Sequence, residues 1–163
     1  MSKAVKPIPD GYHAITPSLT CRNAAQAIEF YKKAFGAQEI MRMPAPDGKI
    51  GHAELKIGDS LIMLNDEFPG MCAAPDAKAK PSNTLFLYVA NVDDTFKRAI
   101  DAGAKSVMPV QDMFWGDRYG TITDPAGHHW GLATHKEDVA PEDMKKRAAE
   151  AMSKAATAAP QHN

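Results

Sequence analysis

The sequence is poor in several features that would have assigned it quickly. It has two cysteines, Cys21 and Cys72, with no metal-like spacing and no CxxC motif. That excludes a disulfide framework and a zinc ribbon, and it fits reduced thiols in a cytosolic protein. No apolar run reaches the ~18 residues of a membrane-spanning helix. Charge of neither sign dominates: 19 basic residues face 20 acidic ones, for a net charge of −1. Without a basic run there is no electrostatic footprint for nucleic acid. The start, MSKAVKPIPDGYH, lacks the apolar centre of an export signal, so a cytoplasmic location is expected. Gly-rich phosphate loops and nucleophile-elbow motifs are missing too. What the chain does have is length and apolar content. Its 163 residues are 44% hydrophobic, enough to bury a core as one domain or two small fused modules.

The most informative stretch is Phe114 to His135. It holds both tryptophans, three of the six histidines and an Asp-Pro-x-Gly turn. Tyr119, Thr121 and Thr123 alternate with Gly120 and Ile122, and a looser alternation resumes after Gly127. Period-two patterns on both sides of a Pro/Gly turn predict a β-hairpin, with one face toward a cavity.

Residues 1–11 read as an extended arm. Residues 12–20 are β-prone, with Pro17 demoting them to an edge or irregular strand. Asn23 caps a helix whose apolar positions run from Ala24 to Phe35, and Gly36 stops it. Strands follow at 37–43, Ile50 to Ile57 and Ser60 to Asn65. A Pro- and Ala-rich connector spans 66–82, long enough to suggest a lid or a junction. The order then repeats: a strand at 83–90, a helix capped by Asn91 or Asp93 and ended by Gly103, a strand from Ala104 to Pro109, a loop from Val110 to Gly116, and the closing hairpin. At an offset of 68, Leu19 falls on Leu87, Asn23 on Asn91 and Leu64 on Leu132. The matching order of elements is the stronger sign of an internal repeat. The units are therefore a first module at 12–65, the connector, a second module at 83–135, and a tail at 136–163. In the tail, Pro141, Glu142 and Asp143 suit a helix start, predicting a helix over about 141–154 that packs on the body or a second subunit. Residues 155–163 are expected to fray.

Two tandem β-α-β-β-β modules, with Ala-Ile-Glu-Phe-Tyr at 27–31 and Asp-Pro-Ala-Gly-His at 124–128, resemble the vicinal oxygen chelate superfamily, which includes glyoxalase I, bleomycin resistance proteins and extradiol dioxygenases. Ile-Thr-Pro-Ser-Leu at 15–19, His-Ala-Glu-Leu at 52–55, Trp-Gly-Asp-Arg-Tyr-Gly at 115–120 and Gly-His-His-Trp-Gly-Leu-Ala-Thr-His at 127–135 look most like the PhnB-like branch. The resemblance implies an α+β fold in which curved, cupped mixed sheets surround a cavity. It also implies a homodimer whose cavity is often completed across the subunit interface.

Carried over from the metal-dependent members, the ligand positions fall on Thr16, Met63, Thr84 and Gly131. None is a His, Glu or Gln, and first-row divalent metals need imidazole, carboxylate or thiolate. No cofactor is expected, and with Met63 and Gly131 at these places the cavity floor should be apolar and roomy. A relocated site from His129, His52 and Glu54 is the way a divalent metal would return. Trp115, Asp117, Arg118 and Tyr119 form the richest cluster for a ligand wall, an aromatic ring beside a guanidinium suiting a planar or anionic molecule, and the plainer reading has Asp117 pair with Arg118 or cap the turn. His128 and His129 are possible general bases, of which a regular strand points only one at the cavity. Trp130 is read as core. The expected function is a glyoxalase/bleomycin-resistance-like protein that binds a small organic ligand in an apolar cavity without the usual metal, through Trp115, Arg118, Tyr119, His129 and Met63. The alternatives are a metal-dependent isomerase, lyase or dioxygenase using His129 and Glu54 or His52, and a dimer whose interaction surface is what matters.

Overall fold

The computed structural model describes residues 5–158. The first module comprises β1 (Ser18–Cys21), α1 (Ala24–Phe35), β2 (Gln38–Pro44), β3 (Ile50–Ile57) and β4 (Ser60–Asp66). The second comprises β5 (Leu85–Tyr88), α2 (Val92–Asp101), β6 (Lys105–Asp112), β7 (Asp117–Thr123) and β8 (His129–His135), and α3 (Pro141–Ala158) follows. Each module folds into its own four-stranded mixed sheet, in the order β1-β4-β3-β2 and β5-β8-β7-β6. The first strand of each lies parallel to the last, and the other pairs are antiparallel. No helix among the described residues is long and apolar enough to cross a membrane.

The offset of 68 extends to atomic detail. Leu19 pairs with Leu64 and Leu87 with Leu132. The Asn23 and Asn91 side chains cap α1 and α2, accepting from the amides of Gln26 and Asp94. Asp66 Oδ1 accepts from the Ala24 amide, and at the equivalent place Thr134 Oγ1 accepts from Val92, each at 2.7–2.8 Å. A side-chain oxygen from the last strand thus satisfies the first amide of each helix, a donor the helix itself leaves unpaired.

Several boundaries differ from those expected, among them the strand expected at 83–90, which is Leu85–Tyr88. The segment before Ser18 is not a strand, consistent with Pro17 interrupting it. β4 takes in Asp66, so the connector is 67–84. β6 runs through Pro109 to Asp112, where a loop was expected. It is the outer strand of its sheet and its pairing slips between Met108 and Gln111, a place where a residue without N–H is tolerated. α3 continues to Ala158, so helix replaces the expected fraying at 155–158, while 159–163 and 1–4 lie outside the described residues.

Each sheet packs its helix on one face, and the two helix-bearing layers merge into one core. Tyr31, Phe35 and Trp130 meet at its centre, with ring centroids 4.9–5.9 Å apart. Trp130 is core, as its strand position implied. Asp124, only 4% exposed, joins the modules: it accepts from the Tyr31 hydroxyl at 2.6 Å and from Trp130 Nε1 at 2.9 Å. It also accepts from the amides of Ala126 and His128, which fixes the turn.

Candidate functional site

The face of the second sheet turned away from α2 carries the aromatic side chains. Strand pairing places Phe86 beside Gly131, Tyr88 and Tyr119 on either side of Ala133, and Asp117 opposite His135. Alternation puts Leu85, Leu87 and Trp130 on the other side, against the core. Phe86 and Tyr119 stack in parallel, centroids 5.3 Å apart and planes 6° apart. Tyr88 lies 5.0 Å from Phe86, Trp115 lies edge-on 5.7 Å from Tyr119, and Phe114 packs on Trp115. Phe86 and Tyr88 are about half exposed, at 48% and 59%.

At the edge of these rings lies Asp117, 3% exposed. Its carboxylate accepts from the Tyr88 hydroxyl at 3.0 Å and Trp115 Nε1 at 3.1 Å, and His135 Nδ1 lies 2.7 Å away. The second nitrogen of His135 is 3.0 Å from Asp138 Oδ1. With an acceptor at each nitrogen, the imidazolium is favoured and the His135 pKa is raised, Asp117 being the larger cause. The same carboxylate raises the Tyr88 phenol.

Of the expected site residues, Trp115 and Tyr119 belong to this panel. Arg118 does not. It points to the opposite side of β7, where Nε and Nη2 grip Asp93 at 2.7 Å each and Nη1 reaches Asp112 at 3.1 Å. Neighbouring strand residues face opposite ways, so Arg118 anchors the first turn of α2 and leaves the rings without a guanidinium. His129 is at the far end of the same sheet face, Nε2 2.9 Å from Thr123 Oγ1. His128 turns the other way, its Nε2 3.0 Å from the Thr20 carbonyl of the first module.

Met63, His52 and Glu54 belong to the other sheet. Glu54 pairs directly across from Met63, with His52 Nε2 3.1 Å from Glu54 Oε1. Hydrogen bonds from Tyr12, chiefly, and from His52 hold the Glu54 carboxyl below its usual range, which makes it a weaker base. Among the described residues no group of three or more His, Cys, Asp or Glu side chains has metal-holding geometry, so one chain does not gather His129 with His52 and Glu54.

The pairing does not bring the expected ligand positions side by side. Met63 lies beside Ser18, and Gly131 beside Phe86, two residues beyond Thr16 and Thr84. Thr16 and Thr84 instead line a cleft of about 310 Å³ between the modules, with Ile62, Leu85 and Trp130. Two threonine hydroxyls, a thioether and a glycine are no donor set for a first-row divalent metal, so the residues present do not fit the family's metal centre. Nor is the space at Gly131 roomy: a Cβ there would come within 2.8 Å of the Tyr119 ring and 3.1 Å of Phe86. The tyrosine covers the glycine.

Sequence reasoning missed Phe86 and Tyr88. In Leu-Phe-Leu-Tyr both alternating sets are apolar, so the pattern does not say which faces the core. Asp117 was named in the cluster, but its bonds run to Tyr88, Trp115 and His135, not to Arg118.

Paired β-α-β-β-β modules with a shared core define the architecture. The chain belongs to the Glyoxalase/Bleomycin resistance protein/Dioxygenase superfamily, whose family model matches residues 12–132. It is 45% identical over 130 residues to the uncharacterized protein Rv0887c of Mycobacterium tuberculosis, covering 77% of this chain and 76% of that one. It is 30% identical over 139 residues to Escherichia coli YjdN, covering 71% and 90%. Among solved structures it is similar to TioX from Micromonospora sp. ML1, with a TM-score of 0.61, 28% identity, and 76% and 98% of the two chains covered. The PhnB protein of Bacillus cereus shares the fold at 16% identity and a TM-score of 0.59, covering 75% and 99%.

Proposed function

We propose that the protein binds a small, flat organic molecule on the aromatic panel, without a metal centre. The observation that carries this is the placement of the rings. At Gly131, one of the positions that the resemblance assigns to a metal ligand, the second sheet has no side chain, and Tyr119 lies over the glycine parallel to the neighbouring Phe86. Half-exposed rings held in a fixed stack offer apolar contact area at low entropic cost. TioX shares the fold at 28% identity, which supports the family placement on which this reading builds. We infer further that the protein is a homodimer in which a second copy closes the open panel. Ile40, Met43, Phe86, Tyr88 and Val107 are large apolar side chains left about half exposed on its strands, a burden a partner would relieve.

The reading is tested with acridine as a neutral planar probe, by calorimetry on the full chain, and with sedimentation for the oligomeric state. Micromolar binding that falls at least about tenfold in Tyr119→Ala supports it. Elemental analysis of protein purified without chelator or nickel resin supplies the opposing result. One metal per subunit, lost on His129→Ala or His52→Ala, would overturn the metal-free reading and favour a lyase or dioxygenase with a displaced centre.

A further inference from the structure

We propose that the aromatic panel selects planar organic cations over neutral or anionic molecules of the same shape, with Asp117 as the residue that sets the charge preference. The proposal rests on the reading that the panel binds a flat ligand, and goes beyond it by naming the ligand's charge.

Three observations converge. First, the only guanidinium next to the rings in sequence, Arg118, is turned to the other side of β7 and gripped by Asp93 and Asp112. Second, a carboxylate lies at the edge of the rings, 3% exposed, accepting from the Tyr88 hydroxyl and Trp115 Nε1, with His135 Nδ1 2.7 Å away. A carboxylate accepts in this way in its ionised form. His135 does not cancel it, because that imidazole is shared with a second carboxylate, Asp138. The cluster therefore keeps net negative charge whether or not His135 is protonated. Third, the two ring systems bonded to Asp117 are themselves panel members. A phenol and an indole that donate to an anion carry more negative charge on their faces, and negative ring faces attract cations.

Around this cluster the strand positions on the same face are Thr121, Thr123, His129, Gly131 and Ala133. The one lysine on this face, Lys105, pairs with Thr123 at the opposite end of β7, about 20 Å along the strand from Asp117. A flat cation lying on these rings thus meets π faces with a buried charge at their edge. An anion meets net repulsion, because the one cation in the cluster, His135, is already shared between Asp117 and Asp138.

The experiment compares N-methylacridinium, acridine and acridine-9-carboxylate at pH 8, where acridine is neutral, by calorimetry on the full chain. The expected result is that the cation binds at least about tenfold tighter than acridine and the carboxylate weakest of the three. Asp117→Asn should bring cation and acridine to within about twofold of each other. Tyr88→Phe keeps an exposed ring and removes only the hydroxyl, so it remains informative should Asp117→Asn unfold. It is expected to lower the cation-to-acridine ratio, and an unchanged ratio in both variants would overturn the role given to Asp117. Acridine or its carboxylate binding as tightly as the cation would overturn the charge preference while the flat-ligand reading stands. If none of the three binds, both readings fall together.

Discussion

Gly131 is a glycine because of Tyr119. Its backbone needs no special conformation, but a methyl group there would meet the Tyr119 ring and hydroxyl at 2.8 Å. Gly131→Ala is expected to push the ring off Phe86, at a cost of about 1–3 kcal/mol in stability. Near-UV circular dichroism would register the lost stack, and acridine binding would weaken. An intact stack would show that the ring's place is not set by this contact. The cysteines differ in the same local way. Burial, with the charges of Asp124 and Asp66, pushes the Cys21 thiol up to about 12. At pH 8 its thiolate fraction is on the order of 10⁻⁴, whereas Cys72 lies half-buried near the surface. Iodoacetamide should label Cys72 in the native protein and Cys21 only after unfolding, as read by mass spectrometry. Equal native labelling of both would contradict the burial of Cys21.

The elements were legible where a residue type has one conformational use. Asn23 and Asn91 begin helices, Gly36 ends one in the left-handed region, and the Asp-Pro-Ala-Gly turn closes the hairpin. Pro109 misled because its missing donor rules out a central strand but not an edge, and edge position is a property of the sheet. The site was half legible. Trp115 and Tyr119 belong to it by composition and spacing, while the facing of Arg118 followed from strand alternation with Asp117 and Tyr119. Phe86 and Tyr88 needed the sheet. The Asp124 turn was read as local punctuation, yet its carboxylate is what the first module's Tyr31 binds. Asp124→Asn is therefore expected to cost about 3 kcal/mol, measured as a lower urea midpoint. Tyr31→Phe, which leaves the rest of the turn satisfied, should cost about 1 kcal/mol. Equal costs would mean that the tie to Tyr31 dominates, not the turn.

At the scale of the whole molecule, pH acts through His135. Its pKa is raised in the folded protein by Asp117 and Asp138. The stabilisation it gives is complete below the unfolded value of about 6.5 and is lost as pH rises through the folded value. Melting temperatures of the native protein and His135→Gln should differ most near pH 5.5 and converge at alkaline pH. A gap that stays constant with pH would mean that this histidine acts only by packing.

The shared core has a different kind of consequence. Tyr31, Phe35, Trp130 and Asp124 hold the modules together from side chains on both halves, and the connector 67–84 contributes little to that centre. Covalent continuity between the halves is then a convenience of synthesis more than a condition of the fold. The two peptides left by a cut in the connector would have every reason to stay together, and each would still find the other if made separately.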